Sequence, residues 1–164
     1  MESLVNIFIN FFGGVSKDLV IFIISLMPIL ELRGGLLAAS LLHVEYIRAL
    51  IICVVGNILP IPVVLLFLKK ILDLLEKWHV TKKIVDWLMK KVDNKREKID
   101  KYGYMGLILF VGIPLPGTGA WTGSLLAVVL GLDRKKSFIC IIIGILLAAI
   151  IMSILSYGIL GSFI

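Results

Sequence analysis

Chemically versatile side chains are scarce in this 164-residue chain, and each scarcity removes a class of function. There are two cysteines, Cys53 and Cys140, both inside apolar runs, which supplies neither a disulfide framework nor a zinc set. The two histidines, His43 and His79, flank apolar runs without ligand spacing, so no metal or other cofactor is expected. Acidic residues number 11, and Glu31 alone stands between long uncharged stretches. No nucleophile, base and orienting group recur together, so an enzyme, for example a lipid phosphatase, is not expected. The first residues offer no basic n-region, and position 2 is Glu rather than Gly; neither a signal peptide nor myristoylation is expected.

What the chain has in excess is apolar surface. It is 60% hydrophobic with a mean hydropathy of +1.08, more than a soluble core of this size can use, so the lipid bilayer is the expected solvent and partner. The length suits one membrane domain over residues 1–164. A net charge of +6 could suggest nucleic acid, but 11 of the 17 Lys and Arg fall between Lys69 and Lys101. That clustering follows the positive-inside rule for a cytoplasmic loop, and no nucleic-acid partner is expected.

Along the chain, residues 1–15 carry a helical apolar stripe and read as an interfacial helix ending near Gly13-Gly14, with Ser16 a candidate N-cap for the next helix. Leu19–Leu30 and Gly34–Leu42 are uncharged arms around Glu31 and Arg33, with Pro28, Gly34 and Gly35 at the break. Each arm reaches about half of a ~30 Å hydrocarbon core, which describes a re-entrant hairpin; a single full-length helix kinked at Pro28 is the competing reading. Ala49–Leu68 is a full span bent near Asn57, Pro60 and Pro62. Residues 69–101 read as amphipathic linker helices on an anionic inner leaflet or on a soluble partner, with Thr81 a candidate cap. Gly103–Leu132 is uncharged for 30 residues, too long for one straight span, and is broken by Pro114, Pro116, Gly117, Gly119 and Gly123 into a second hairpin. Ser137–Ile164 is a second full span.

The two halves overlay. Leu32-Arg33-Gly34-Gly35-Leu36-Leu37-Ala38 matches Trp121-Thr122-Gly123-Ser124-Leu125-Leu126-Ala127, and Ile52–Gly56 resembles Ile139–Gly144 with a one-residue slip. Repeat 1 covers 1–68 and repeat 2 covers 88–164, each an interfacial helix, a re-entrant hairpin and one transmembrane helix. One span per half makes the repeat inverted. With both hairpins re-entrant, residues 69–101 and 133–136 share the cytoplasmic side and hold 14 of the 17 positive charges. The expected fold is therefore an all-α, multi-pass integral protein of the cell membrane.

A charge in hydrocarbon costs at least ~2.5–3.5 kcal/mol, so Glu31 and Arg33 must be compensated, either by pairing or by function. In the functional reading Arg33 takes an anionic headgroup and Glu31 carries a coupling proton. Thr118, Trp121 and Thr122 could add hydrogen bonds from the second hairpin, or form a tight packed turn. Asn57 could face the site or serve as a packing amide.

Pro28-Ile29-Leu30-Glu31-Leu32-Arg33-Gly34 and Ile113-Pro114-Leu115-Pro116-Gly117-Thr118-Gly119-Ala120-Trp121-Thr122-Gly123 resemble the small multidrug export family over most of the chain. That family is similar in layout to the DedA (VTT-domain) proteins with opposed re-entrant hairpins, some of which transport polyprenyl phosphate lipids. The resemblance implies a transporter or flippase for an amphipathic, anionic, lipid-phosphate-like substrate, coupled to protons or another ion. DedA proteins usually carry further charges, including an arginine, in the second hairpin; this chain has none there. The alternatives are a proton-antiport exporter of lipophilic cations, using Glu31, and a non-transporting scaffold that recruits a partner through residues 69–101. A homodimer would cover the apolar surface that remains.

Overall fold

The computed structural model describes residues 16–67 and 103–159. The expected interfacial helix at 1–15 and the linker helices at 69–101 lie outside the described residues. Among the described residues every regular element is helical. The chain divides into two compact units, one formed by Met1–Asn57 with Ala148–Ile164, the other by Ile58–Leu147.

In the first unit, α1 (Lys17–Leu26) is capped by Ser16, whose hydroxyl accepts from the Leu19 amide at 3.3 Å. Its apolar run ends at Met27, where the backbone turns extended ahead of Pro28, as a residue before proline prefers. The chain then reverses through Met27–Leu30 into α2 (Glu31–Leu41). Ser25 on α1 lies against Gly35 on α2, and the Lys17 Nζ donates to the Leu42 carbonyl at 2.8 Å, so the two arms are antiparallel. This excludes the single kinked helix. With 10 and 11 residues, each arm is about 15 Å long.

One expectation needs correction. The polar, glycine-rich stretch is not the turn. The turn is Met27-Pro28-Ile29-Leu30, with Ile29 92% exposed, whereas Glu31, Arg33, Gly34 and Gly35 all belong to α2. The glycines are mid-helix because they permit close packing: a Cβ on Gly35 would stand 1.9 Å from Ser25 Oγ and 2.9 Å from Cys53 Sγ.

A tight corner leads to α3 (Tyr46–Ile58). His43 adopts φ 53, Val44 N–H donates to Ala39 O, and both Glu45 carboxylate oxygens accept from the first amides of α3. Asp18 on α1 pairs with Arg48 on α3, and Gly56 packs on Phe22 and Ser25, so α1 and α3 run parallel. Helical structure resumes after Leu59 and continues to Phe67, giving a candidate span of Tyr46–Phe67. The interruption at one residue reflects Pro60 and Pro62, which offer no N–H to the carbonyls of Gly56 and Ile58.

In the second unit, α4 (Gly103–Gly112) and α5 (Ala120–Val129) form the other hairpin, joined by residues 113–119. A Cβ on Gly123 would come within 2.6 Å of Val111 Cγ2, so α5 folds back onto α4. Gly131, at φ 66, ends α5. The next helix, α6 (Arg134–Ser153), starts three residues before the expected Ser137 because Asp133 caps it: its Oδ1 accepts from the Lys136 amide at 2.9 Å. Gly144 of α6 packs against Val111 Cβ and the Ile108 carbonyl. The far end of α6 belongs to the first unit. There it widens into a π-helix, Ile154–Ile159, whose Ser156 carbonyl accepts from Ser40 Oγ at 2.7 Å and whose Tyr157 hydroxyl donates to Val44 O at 2.9 Å. Arg134–Gly158 is the second helix long and apolar enough to cross a membrane.

In lipid, helices associate largely through close backbone packing at small residues. Gly35→Ala should therefore lower stability in detergent by about 1–2 kcal/mol, the overpacking clash outweighing the better helix propensity of alanine. The Ser25→Ala/Gly35→Ala double variant should recover part of that loss in thermal unfolding, because Ser25 Oγ is gone while Cys53 Sγ still stands 2.9 Å from the added Cβ.

Candidate functional site

The start of α2 holds the strongest chemistry. Glu31 is 4% exposed and is the one buried charged side chain among the described residues. It also adopts φ 52, a left-handed conformation rare for a residue with a Cβ. Its N–H donates to Met27 O at 3.0 Å, and Gly34 N–H donates to Leu30 O at 2.8 Å, so the turn and the helix hold the residue from both sides. The carboxylate lies in the first turn of a helix, where the dipole favours negative charge.

Arg33 is two positions further along α2 and half-buried. Residues two apart point to different sides of a helix, which separates the buried carboxylate from the more accessible guanidinium. A charge–charge interaction nonetheless links the two. Gly34 lets α2 lie close to its own turn, since a Cβ there would meet Leu30 Cβ at 2.7 Å. Pro28 is exposed in the turn, away from the buried carboxylate.

Asn57, on α3 in the same unit, is 2% exposed, and its side-chain oxygen Oδ1 has no hydrogen-bond partner. It lies one helical turn beyond Cys53, which faces Gly35.

Pro114 sits at the centre of a three-residue turn in which Leu115 N–H donates to Ile113 O at 2.8 Å. Gly117 and Gly119 have φ 75 and 132, conformations that call for glycine. Pro116 is exposed in the same loop. The Thr118 hydroxyl lies 2.9 Å from Ile113 O and 2.8 Å from Leu115 O, and accepts from Leu115 N–H at 3.3 Å. Thr118 thus staples the loop, a local role that suffices to place a threonine there. Trp121 and Thr122 are half-buried in the first turn of α5, and Gly123 faces α4.

Sequence reading missed the polar seam at the end of α6. Ser153 and Ser156 have buried hydroxyls without partners, and Tyr157 packs edge-on against Tyr46 at 5.2 Å. Hydroxyls in an apolar run were its only visible signal, and serines in membrane helices commonly satisfy themselves on their own backbone, as Ser25 and Ser124 do here at 2.8 and 2.7 Å. Among the described residues no group of three or more His, Cys, Asp or Glu could hold a metal ion.

The model of a family described as "Putative small multi-drug export protein" matches residues 31–151. The chain belongs to that family. The match begins at Glu31, so the matched region takes in α2, the whole of α3, the second hairpin and nearly all of α6. No curated protein and no solved structure matches the chain. Family membership and two long apolar helices together make it a membrane protein of a transporter family.

The strain at Glu31 yields a test. Replacing it with alanine gives up the side chain's interactions, the one with Arg33 among them, and keeps the left-handed penalty of about 1–2 kcal/mol; glycine gives up the same interactions but relieves that penalty, at an entropic cost of about 0.5–1 kcal/mol. Glu31→Gly should therefore melt above Glu31→Ala in detergent. Equal melting temperatures would mean that position 31 carries no backbone strain.

Proposed function

We propose that this protein exports amphipathic, lipophilic cations in exchange for protons, with Glu31 as the carboxylate that alternately holds substrate and proton. The observation that carries this reading is the burial of Glu31, the one buried charged side chain among the described residues, in a strained conformation at the start of α2. Strain at a buried ionisable group is characteristic of a working site. The family description, which refers to drug export, agrees with this reading. A carboxylate excluded from water attracts a hydrophobic cation strongly, and protonation releases that cation.

An anionic, lipid-phosphate-like substrate would instead rest on Arg33. The family description lends it no support, and Arg33 is the more exposed member of the pair. A scaffold acting through residues 69–101 finds no support there either. We further infer the membrane arrangement: two re-entrant hairpins in an inverted repeat, crossing the cell membrane with residues 69–101 and 133–136 on the cytoplasmic side. Matching packing in the two units supports it. In each, a glycine of the second hairpin arm and a glycine of a spanning helix press on one residue of the first arm: Gly35 and Gly56 on Ser25, Gly123 and Gly144 on Val111. Both glycine pairs are related by the same shift of 88 positions (123 − 35 and 144 − 56), one residue away from the sequence overlay, which sets Gly34 rather than Gly35 against Gly123. A homodimer would cover the exposed apolar flanks of the spans, such as Ile51, Val55, Ile139 and Ile150.

Ethidium efflux from proteoliposomes under an imposed proton gradient tests the mechanism. Glu31→Gln should reduce efflux about 100-fold, the scale of losing one partner of a buried charge pair, worth about 3 kcal/mol. Arg33→Ala should cost only a few-fold. The reverse ranking would establish the anionic-headgroup reading instead.

A further inference from the structure

Resting on the cation reading above, we propose that Asn57 is the second half of the Glu31 site, and that the preferred substrate is a cation bearing an N–H group rather than a fully alkylated one. Helix register places the two residues. Gly35 on α2 and Cys53 on α3 are in close approach, with a Cβ on Gly35 falling 2.9 Å from Cys53 Sγ. The two helices are consecutive and antiparallel: α1 is antiparallel to α2 through Lys17 and Leu42, and parallel to α3 through Asp18 and Arg48. Glu31 is one turn before Gly35 and Asn57 one turn after Cys53, so both steps lead to the same end of the pair. One turn on either helix covers the same rise. Glu31 and Asn57 therefore stand at one level of the pair, and both are buried.

At that level Asn57 Oδ1 is a buried acceptor without a donor. Leaving such an atom unserved is costly, and native proteins rarely tolerate it unless a ligand, a water or a change of protonation completes it. A protonated Glu31 has one O–H to donate, and an ammonium-type cation has N–H. Each of the two occupants expected in an antiport cycle can thus serve the same oxygen in turn. The proton-loaded carboxyl donates to Asn57 Oδ1; as the cation enters, that proton passes to water on the side of entry, and the cation pairs with the carboxylate and donates its own N–H to the amide. A quaternary ammonium can form the ion pair but leaves the amide oxygen orphaned. Discrimination by an unpaired buried polar group is stronger than discrimination by size alone.

The test compares two cations that differ by one methyl group, protonated benzyldimethylamine and benzyltrimethylammonium, by calorimetric titration of the full chain in detergent. The unaltered protein should bind the N–H cation about tenfold more tightly, the scale of one hydrogen bond to a charged donor. Asn57→Leu should bring the two affinities together, mainly by weakening the first, and Glu31→Gln should remove both. Equal affinities in the unaltered chain would overturn the inference without need of any variant, as would a preference that survives in Asn57→Leu. If Glu31→Gln leaves binding intact, or if neither cation binds, the cation reading itself fails and takes this inference with it.

Discussion

Close approach of helices at single glycines is the constraint on which both units rest. Ser25 of the first hairpin and Val111 of the second are each covered from two directions by backbone that lacks a side chain. In water, such contacts would be a detail of a larger hydrophobic core. In a bilayer the tails are as apolar as leucine, so little is gained by hiding apolar side chains from them. Dispersion between closely packed backbones, and hydroxyls folded onto their own helix, then carry most of the cohesion. Ten-residue arms would be marginal helices alone; packed against a glycine-bearing partner they become a rigid pair.

This also explains which parts of the fold were legible in the sequence. Proline and glycine in a long apolar run announced a chain reversal in both halves, and the reversals are there. Their location was misread in the first half, because Glu31, Arg33, Gly34 and Gly35 looked like turn chemistry. They are helix chemistry: Gly35 is needed for its missing Cβ and not for a special dihedral, while the residue in the left-handed conformation is Glu31 itself. No local rule places a glutamate there, and tertiary burial overrides propensity. In the second half the signal was more faithful, since Gly117 and Gly119 do serve the turn with positive φ. The cap at Asp133 and the π-helix at Ile154–Ile159 depend on hydrogen bonds that periodicity does not encode.

The candidate site was half legible. Glu31 stood out because an isolated acid between apolar arms has few bland explanations. Asn57 gave a weaker signal, since an amide in a span packs helices as readily as it binds ligands; its unserved oxygen appears only once partners are known. Thr118 looked equally suitable for ligand binding, yet its hydroxyl is occupied by the loop that carries it. A hydroxyl beside prolines has nearby orphan carbonyls to serve, and that local demand comes first.

The same glycine links the packing to the chemistry. Gly35 draws α3 against α2, and the carboxylate and the amide follow from it at one turn's remove on either helix. A larger residue at that position would widen the pair and separate Glu31 from Asn57 as well as loosening the unit. The energetic cost of holding a buried, strained glutamate is then offset by the contacts that position it, because those contacts are the ones that bring α1, α2 and α3 together. Stability and site geometry are therefore coupled through a single close approach. A chain built this way can relax its packing only by giving up the acid–amide juxtaposition.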